Sequence, residues 1–180
     1  MTIPNTITIL RILLTPVFIV CLINDRLLVG LVILIVCGAS DGLDGFAARV
    51  LDQKSRLGSF LDPLADKLIL VSAFITLGIR GFLPSWLAVA AISRDILILI
   101  GVTILYINDI QLNIKPAISS KITTCLQFAA VIAVLAREYL TNFADYYFYL
   151  YHATAIFTII SFFQYLHQWL KMMVEKPERP

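Results

Sequence analysis

The chain has 180 residues, 59% of them hydrophobic and 14% charged, with a net charge of +2. Soluble domains average roughly 45–50% apolar and about 25% charged residues, so this composition excludes an ordinary soluble domain. It predicts one integral membrane domain over residues 1–180, and the small net charge gives no reason to expect a nucleic-acid partner.

The opening MTIPNTITILRILL lacks a basic stretch ahead of its apolar run, which argues against a signal peptide. A first membrane span is expected from about Thr6 to Ile23, kinked at Pro16, with Arg11 early enough in it to snorkel to the interface. Asn24-Asp25-Arg26 reads as a tight turn. The second span is expected from Leu27 to Val50 and the third from Leu57 to Ile79, joined by a polar turn over 52–56. After the turn Arg80–Pro84 comes a fourth span, Ser85 to Ile107, carrying Arg94-Asp95 in its middle. A polar loop over 108–120 leads into a fifth span, Ile118 to Leu135, which opens with Ser119-Ser120-Lys121. The segment 139–151 is dense in Tyr and Phe, as an interfacial aromatic belt would be. The sixth span is expected from Tyr146 to Leu166, followed by a basic tail with Lys171, Lys176 and Arg179. Cys21, Cys37 and Cys125 show no paired spacing and read as buried small hydrophobes. His152 and His167 read as packed side chains rather than ligands.

The second and third spans hold the chemistry. Five of the nine aspartates fall between Asp41 and Asp66, with apolar runs on both sides. Carboxylates embedded in membrane-type sequence are costly and mark functional sites. Asp41 and Asp44 are three apart and Asp62 and Asp66 four apart, so each pair shares one face of its helix. Four such like charges need positive charge between them. An all-carboxylate set suits a hard divalent cation, Mg²⁺ or Mn²⁺. Gly42, Gly45, Gly58, Ala47 and Ala48 allow close approach of helices or ligand. Arg49 suits a phosphate. A pair of solvated acidic helix ends is the bland alternative; it accounts for Asp52, Lys54 and Arg56 but not for the register of the other residues.

These residues match position for position the pattern D-x2-D-G-x2-A-R-x8-G-x3-D-x3-D: Asp41, Asp44, Gly45, Ala48, Arg49, Gly58, Asp62 and Asp66. In this the chain resembles the CDP-alcohol phosphatidyltransferases, membrane enzymes of phospholipid synthesis. The resemblance implies an all-α membrane protein of six transmembrane helices with a polar cavity, acting as a homodimer. It implies CDP-diacylglycerol as donor and two divalent ions held by Asp41, Asp44, Asp62 and Asp66, with Asp66 also the general base. It places Gly45, Ala48, Arg49 and Gly58 at the nucleotide-lipid, and, through the opening I-P-N-x-x-T-x-x-R, Asn5 and Thr8 there too, with Arg11 toward the acceptor.

For Arg94 two readings stand: a phosphate ligand for the acceptor, or a structural pair with Asp95. Lys121 either faces the same cavity or anchors the interface. The acceptor implied is of glycerol type. Glycerol 3-phosphate, the commoner acceptor in compact members of this branch and that of the phosphatidylglycerophosphate synthases, is the acceptor expected first, with phosphatidylglycerol as the alternative. The stretches ISRDILI and ISSKITTCLQ are more similar to the cardiolipin synthases, which use phosphatidylglycerol. A divalent-metal transporter and an inactive structural relative are the remaining readings. The nearly pure Leu, Ile and Val halves opposite the aspartates argue against the first, and the presence of Asp66 argues against the second.

Orientation follows from Lys and Arg. With six spans, ten of these cations fall on the side of the termini and the aspartates, and three (Arg26, Arg80 and Arg137) on the other. The cavity and both termini are therefore expected on the cytoplasmic side of a bacterial cytoplasmic membrane, or the matrix side of a mitochondrial inner membrane.

Overall fold

A computed structural model describes the backbone of residues 3–51, 58–107, 118–139 and 144–174, and side chains over 9–40, 67–101, 103–104, 118–139 and 146–171. Six helices follow one another: α1 (Ile3–Ile23), α2 (Leu27–Leu51), α3 (Gly58–Ile79), α4 (Ser85–Ile107), α5 (Ile118–Leu135) and α6 (Ala144–Val174). No strand occurs among the described residues. The expected polar turn over 52–56, residues 108–117 of the expected loop over 108–120, and the basic tail beyond 174 lie outside them, while residues 118–120 of that loop open α5.

The chain divides into two compact units. The first holds α1, α2, α3 and the segment 131–141, which includes the last turn of α5. Here α1 packs along both α2 and α3, which touch each other only lightly. The core-facing residues of α1 recur at helical spacing, Arg11, Thr15, Phe18 and Leu22, all buried, while Leu13, Val17 and Val20 are exposed. On α2, Leu27, Leu34 and Cys37 are buried and Val29, Val32 and Val36 exposed. Both helices thus also carry exposed apolar side chains on the face turned away from the packed one.

Helices α1 and α3 end in the same way. At the end of α1, Asp25 adopts φ 57°, and at the end of α3, Gly81 adopts φ 72°. Arg26 N–H reaches Cys21 O at 2.9 Å, and Phe82 N–H reaches Leu77 O at 2.9 Å. This six-to-one bond, with a left-handed residue just before its donor, is the Schellman arrangement, which satisfies carbonyls that the helix end leaves bare. Arg80 then pairs with Asp25, tying the two helix ends together. Arg137 stacks its guanidinium 3.9 Å from the Phe82 ring centre in the same unit.

The second unit holds α4, α5 as far as Ala130, and α6. Helix α4 packs along α6, and hydrogen bonds between side chains and backbone join α5 to α6. Trp169 lies over Gly101, where a Cβ would meet its ring at 3.5 Å.

Three expectations are corrected. The sixth helix does not stop at Leu166; it continues to Val174 and takes in Lys171. The reason is that no Gly or Pro interrupts the run before Pro177, so nothing breaks the helical hydrogen-bond ladder there. Arg11 does not snorkel: it is 3% exposed, held in the interior by its position on the packed face of α1. Of the cysteines only Cys37 is buried, Cys21 being half-buried and Cys125 exposed. Pro16 lies inside α1, which runs on through it. Pro16 cannot donate to the Ile12 carbonyl, and beside it Thr15 Oγ1 donates to Arg11 O at 2.9 Å.

Among the described residues, α5 alone is long and apolar enough to cross a membrane by length and composition. Shorter apolar stretches cover Ile9–Ile23, Leu27–Ser40 and Lys67–Ile79.

Candidate active site

All four motif aspartates fall on helices of the first unit, Asp41 and Asp44 in the second half of α2 and Asp62 and Asp66 in the first half of α3. Because α2 is continuous to Leu51, Asp41, Asp44, Gly45 and Ala48 occupy one face at i, i+3, i+4 and i+7. Arg49 comes one residue later on the same turn. On α3, Gly58, Asp62 and Asp66 recur at i, i+4 and i+8. The helical register read from the sequence is therefore the register of the backbone. The side chains of these residues, and of Asn5 and Thr8 on α1, lie outside the described ones. Among the described residues no group of three or more metal-type side chains comes together. The donor set that the motif offers is four carboxylates without thiolate or imidazole, and that chemistry fits Mg²⁺ or Mn²⁺.

The second unit carries a buried polar cluster that the sequence signalled only in part. Arg94 is 1% exposed. Its Nη1 donates to Asp95 Oδ1 at 2.6 Å, its Nη2 to Ser120 Oγ at 2.5 Å and to Ser161 Oγ at 3.0 Å, and its Nε to Ser161 Oγ at 3.3 Å. The Tyr165 ring lies 5.9 Å away. Four of the five guanidinium donors are thus engaged by protein groups from α4, α5 and α6. The geometry contains the pair with Asp95 that the structural reading expected, extended by two serines.

Deeper along α5 and α6 the polar track continues. Thr123 Oγ1 lies 2.8 Å from Ser119 O and 2.9 Å from Phe157 O, so its single proton is shared between two carbonyls. Thr154 donates to Leu150 O at 2.7 Å and Thr158 to Thr154 O at 2.7 Å. Gln127 is fully buried, and neither its amide nitrogen nor its oxygen has a partner among the described residues. Ser120, Thr123 and Gln127 are spaced i, i+3, i+7, and Thr154, Thr158 and Ser161 i, i+4, i+7. That spacing was in the sequence and is the signal that could have found the track.

Lys121 is exposed. His152 packs between aromatic rings, 4.0 Å from Phe148 and 5.7 Å from Trp86, with Nδ1 2.8 Å from Phe148 O, as a packed rather than ligating histidine would. Tyr139, Tyr146, Phe148 and Tyr149 are all exposed, in keeping with an aromatic belt.

A family model described as CDP-alcohol phosphatidyltransferase matches residues 1–170. A protein of Rattus norvegicus named cardiolipin synthase (CMP-forming) is 35% identical over 184 residues, covering 92% of this chain and 61% of its own length. A probable cardiolipin synthase (CMP-forming) of Drosophila melanogaster is 32% identical, over 98% of this chain and 61% of its own length. A CDP-diacylglycerol–glycerol-3-phosphate 3-phosphatidyltransferase of Bacillus subtilis is 31% identical over 150 residues, 75% of this chain and 77% of its own length. The chain thus spans about 61% of the length of the animal relatives.

Proposed function

The chain belongs to the CDP-alcohol phosphatidyltransferase family, and from that membership we propose that it transfers a phosphatidyl group from CDP-diacylglycerol to a glycerol-type acceptor, releasing CMP. The observation that carries the proposal is the complete eight-position motif, set at helical spacing on two helices of one unit. The family match runs through both units, which supports a single functional domain over residues 1–180.

The roles follow from the chemistry. The family is generally dependent on a divalent metal. Two ions, Mg²⁺ or Mn²⁺, would be held by Asp41, Asp44, Asp62 and Asp66, and when bound they supply positive charge for the diphosphate and the leaving CMP. Asp66 takes the proton from the acceptor hydroxyl. The acceptor oxygen forms a new bond to the phosphatidyl phosphorus, and the phosphorus–oxygen bond to CMP breaks, CMP leaving with the electron pair. Arg49 binds phosphate. Gly45, Ala48 and Gly58 leave room for the nucleotide-lipid, with Asn5 and Thr8 beside it. Arg11, buried on α1, serves the acceptor side, where Arg94 and Lys121 are the further candidates.

Of the two glycerol-type acceptors, phosphatidylglycerol is supported by the relatives that cover most of the chain, whose names are those of cardiolipin synthases. Glycerol 3-phosphate, the acceptor expected first from compactness, is supported by the Bacillus subtilis relative. The apolar exteriors of α1 and α2 support six membrane spans, since soluble proteins rarely expose contiguous apolar patches of that extent. The Lys and Arg distribution supports a cavity opening on the cytoplasmic or matrix side. A homodimer rests on the resemblance alone.

The deciding experiment is CMP release from CDP-diacylglycerol by the purified full chain, with Mg²⁺ or Mn²⁺ and each acceptor in turn. Release with phosphatidylglycerol alone identifies a cardiolipin synthase. Release with glycerol 3-phosphate alone identifies a phosphatidylglycerophosphate synthase. No release with either overturns the proposal.

A further inference from the structure

Arg80 and Arg137 converge on one aromatic ring. The Arg80 guanidinium carbon lies 5.7 Å and that of Arg137 3.9 Å from the centre of the Phe82 ring, and all three residues belong to the first unit. Two like charges are thereby held within about 10 Å of each other, the Debye length at 0.1 M salt. Only Arg80 has a carboxylate partner, Asp25; the Arg137 side chain forms no ion pair or hydrogen bond among the described residues. Arg26, exposed, follows Asp25 directly in the chain. Glu138, beside Arg137, is also exposed and forms no ion pair among the described residues. The repulsion between the two guanidinium groups is relieved by an anion placed between them.

The ring is a fixed platform. Phe82 N–H is bonded to Leu77 O at 2.9 Å and Leu83 N–H to the same oxygen at 3.2 Å, and Leu83 is buried. Gly81, with φ 72°, makes the turn that presents the ring. A guanidinium laid on a ring uses its face, so its N–H edge stays open to a planar, bidentate acceptor such as a phosphate. Apolar surface begins beside the charges. Ile79, next to Arg80, is 81% exposed, and Ile75 one turn earlier on α3 and Ile132 on α5 are exposed too. A free phosphate would use the charges alone, whereas a lipid uses both. The cluster also stands far from the aspartates: 14 residues of α3 and its end separate Asp66 from Arg80, about 21 Å along the helix axis.

We propose that Arg80, Phe82 and Arg137 form a binding site for the phosphodiester of an anionic phospholipid, in the leaflet away from the aspartates. Arg137 donates from its open N–H edge to the phosphate oxygens. Arg80 keeps Asp25 and turns its remaining donors to the same phosphate, and Arg26 adds a third positive charge. The acyl chains run along Ile79 and Ile75. A zwitterionic head group brings an ammonium that the arginines repel, so a lipid of net negative charge is preferred. The inference rests on the membrane spans proposed above but not on the transfer reaction, in which none of these residues takes part.

The test keeps this site apart from the aspartates. Native mass spectrometry of the full chain in detergent, with a chelator so that the aspartates hold no metal, would compare retention of phosphatidylethanol and phosphatidylcholine of matched acyl chains. Both carry the phosphodiester, the second adds a quaternary ammonium, and neither offers an acceptor hydroxyl. The expected result is a preference for phosphatidylethanol of about tenfold, the scale of one hydrogen bond to a charged group. Arg137→Gln removes a guanidinium without breaking an ion pair among the described residues, and Phe82→Leu removes the platform while keeping every charge. Each is expected to abolish the preference, with the unfolding midpoint and unchanged CMP release showing that the variants are folded. Equal retention of the two lipids by the unaltered chain, or a preference that survives in either folded variant, overturns the proposal. Inorganic phosphate is expected not to displace the lipid; displacement would make this a free-anion site and overturn the lipid assignment. The binding measurement uses no CDP-diacylglycerol, so an absence of CMP release with every acceptor would fail the proposed activity and leave this site standing.

Discussion

Ser161 on α6 accepts two hydrogen bonds from Arg94 on α4, one from Nε at 3.3 Å and one from Nη2 at 3.0 Å. Through Asp95 and Ser120 the same guanidinium also holds its own helix and α5. One side chain therefore joins the three helices of the second unit.

Removing Arg94 takes from Asp95, 9% exposed, the guanidinium that it meets at 2.6 Å. Breaking a buried pair from one side costs about 3–5 kcal/mol, whereas replacing both partners with apolar groups is often near neutral. Arg94→Leu is expected to lower stability by that amount, and Arg94→Leu with Asp95→Leu to recover most of it. Denaturant unfolding of the purified protein in detergent measures both. Arg94→Lys is also expected to destabilise, because a single ammonium cannot reproduce the planar fork that reaches three partners.

Gly30 on α2 lies against α1, and a Cβ there would stand 2.8 Å from Leu22 Cδ2. Two effects compete in Gly30→Ala. Helix propensity favours Ala by about 0.5–1 kcal/mol, while overpacking a tight contact costs about 1–3 kcal/mol. Leu22 is fully buried and has little room to yield, so overpacking wins and Gly30→Ala is expected to destabilise. In a Leu22→Ala background the clash disappears and the same substitution is expected to stabilise. The reversal of sign in a double-mutant cycle is the measurement.

Helices α4 and α5 begin and end where the apolar runs and their flanking polar turns place them, because Pro84 and the polar residues beyond Ile107 punctuate the pattern unambiguously. The end of α6 was not legible in the same way. Its last turns mix Gln, His and Lys with Leu, Trp and Met, so a hydropathy reading stops early although the helical ladder does not. The motif register on α2 and α3 could be read directly, since i, i+3 and i+4 spacing survives any reasonable placement of the helix ends. The polar track showed in the sequence only as a spacing. Thr and Ser in these helices return their protons to their own backbone, as Thr158 does to Thr154 O, and so pass for tolerated apolar positions. Only the partner helix reveals that Ser120 and Ser161 meet at Arg94.

If Asp66 is the general base, Asp66→Asn keeps the helix and removes the proton acceptor. Turnover is expected to fall by about 10²–10⁴, the usual contribution of general base catalysis, with the folded state retained. Because an amide is also a poorer metal ligand, the metal requirement provides the second readout. Chelation of the unaltered protein is expected to abolish CMP release, and Mg²⁺ or Mn²⁺ to restore it. In Asp66→Asn, raising the metal concentration is expected not to recover the rate. Recovery would make Asp66 a ligand only and move the base elsewhere.

Gln127 presents the opposite case, a polar side chain whose structural cost is visible. It is fully buried on α5, and both amide heavy atoms lack partners among the described residues. Each buried unsatisfied polar group costs about 1–3 kcal/mol. Gln127→Met, close in length and unbranched, removes both groups without opening a cavity and is expected to raise stability by at least about 1 kcal/mol. Gln127→Ala removes the same groups but leaves a void, so part of the gain is lost to the cavity. The order of unfolding midpoints, Gln127→Met above Gln127→Ala, therefore separates unsatisfied polarity from packing. A loss of stability in Gln127→Met would mean that the amide is hydrogen-bonded in the folded protein, with buried water as the natural partner at the deep end of the track.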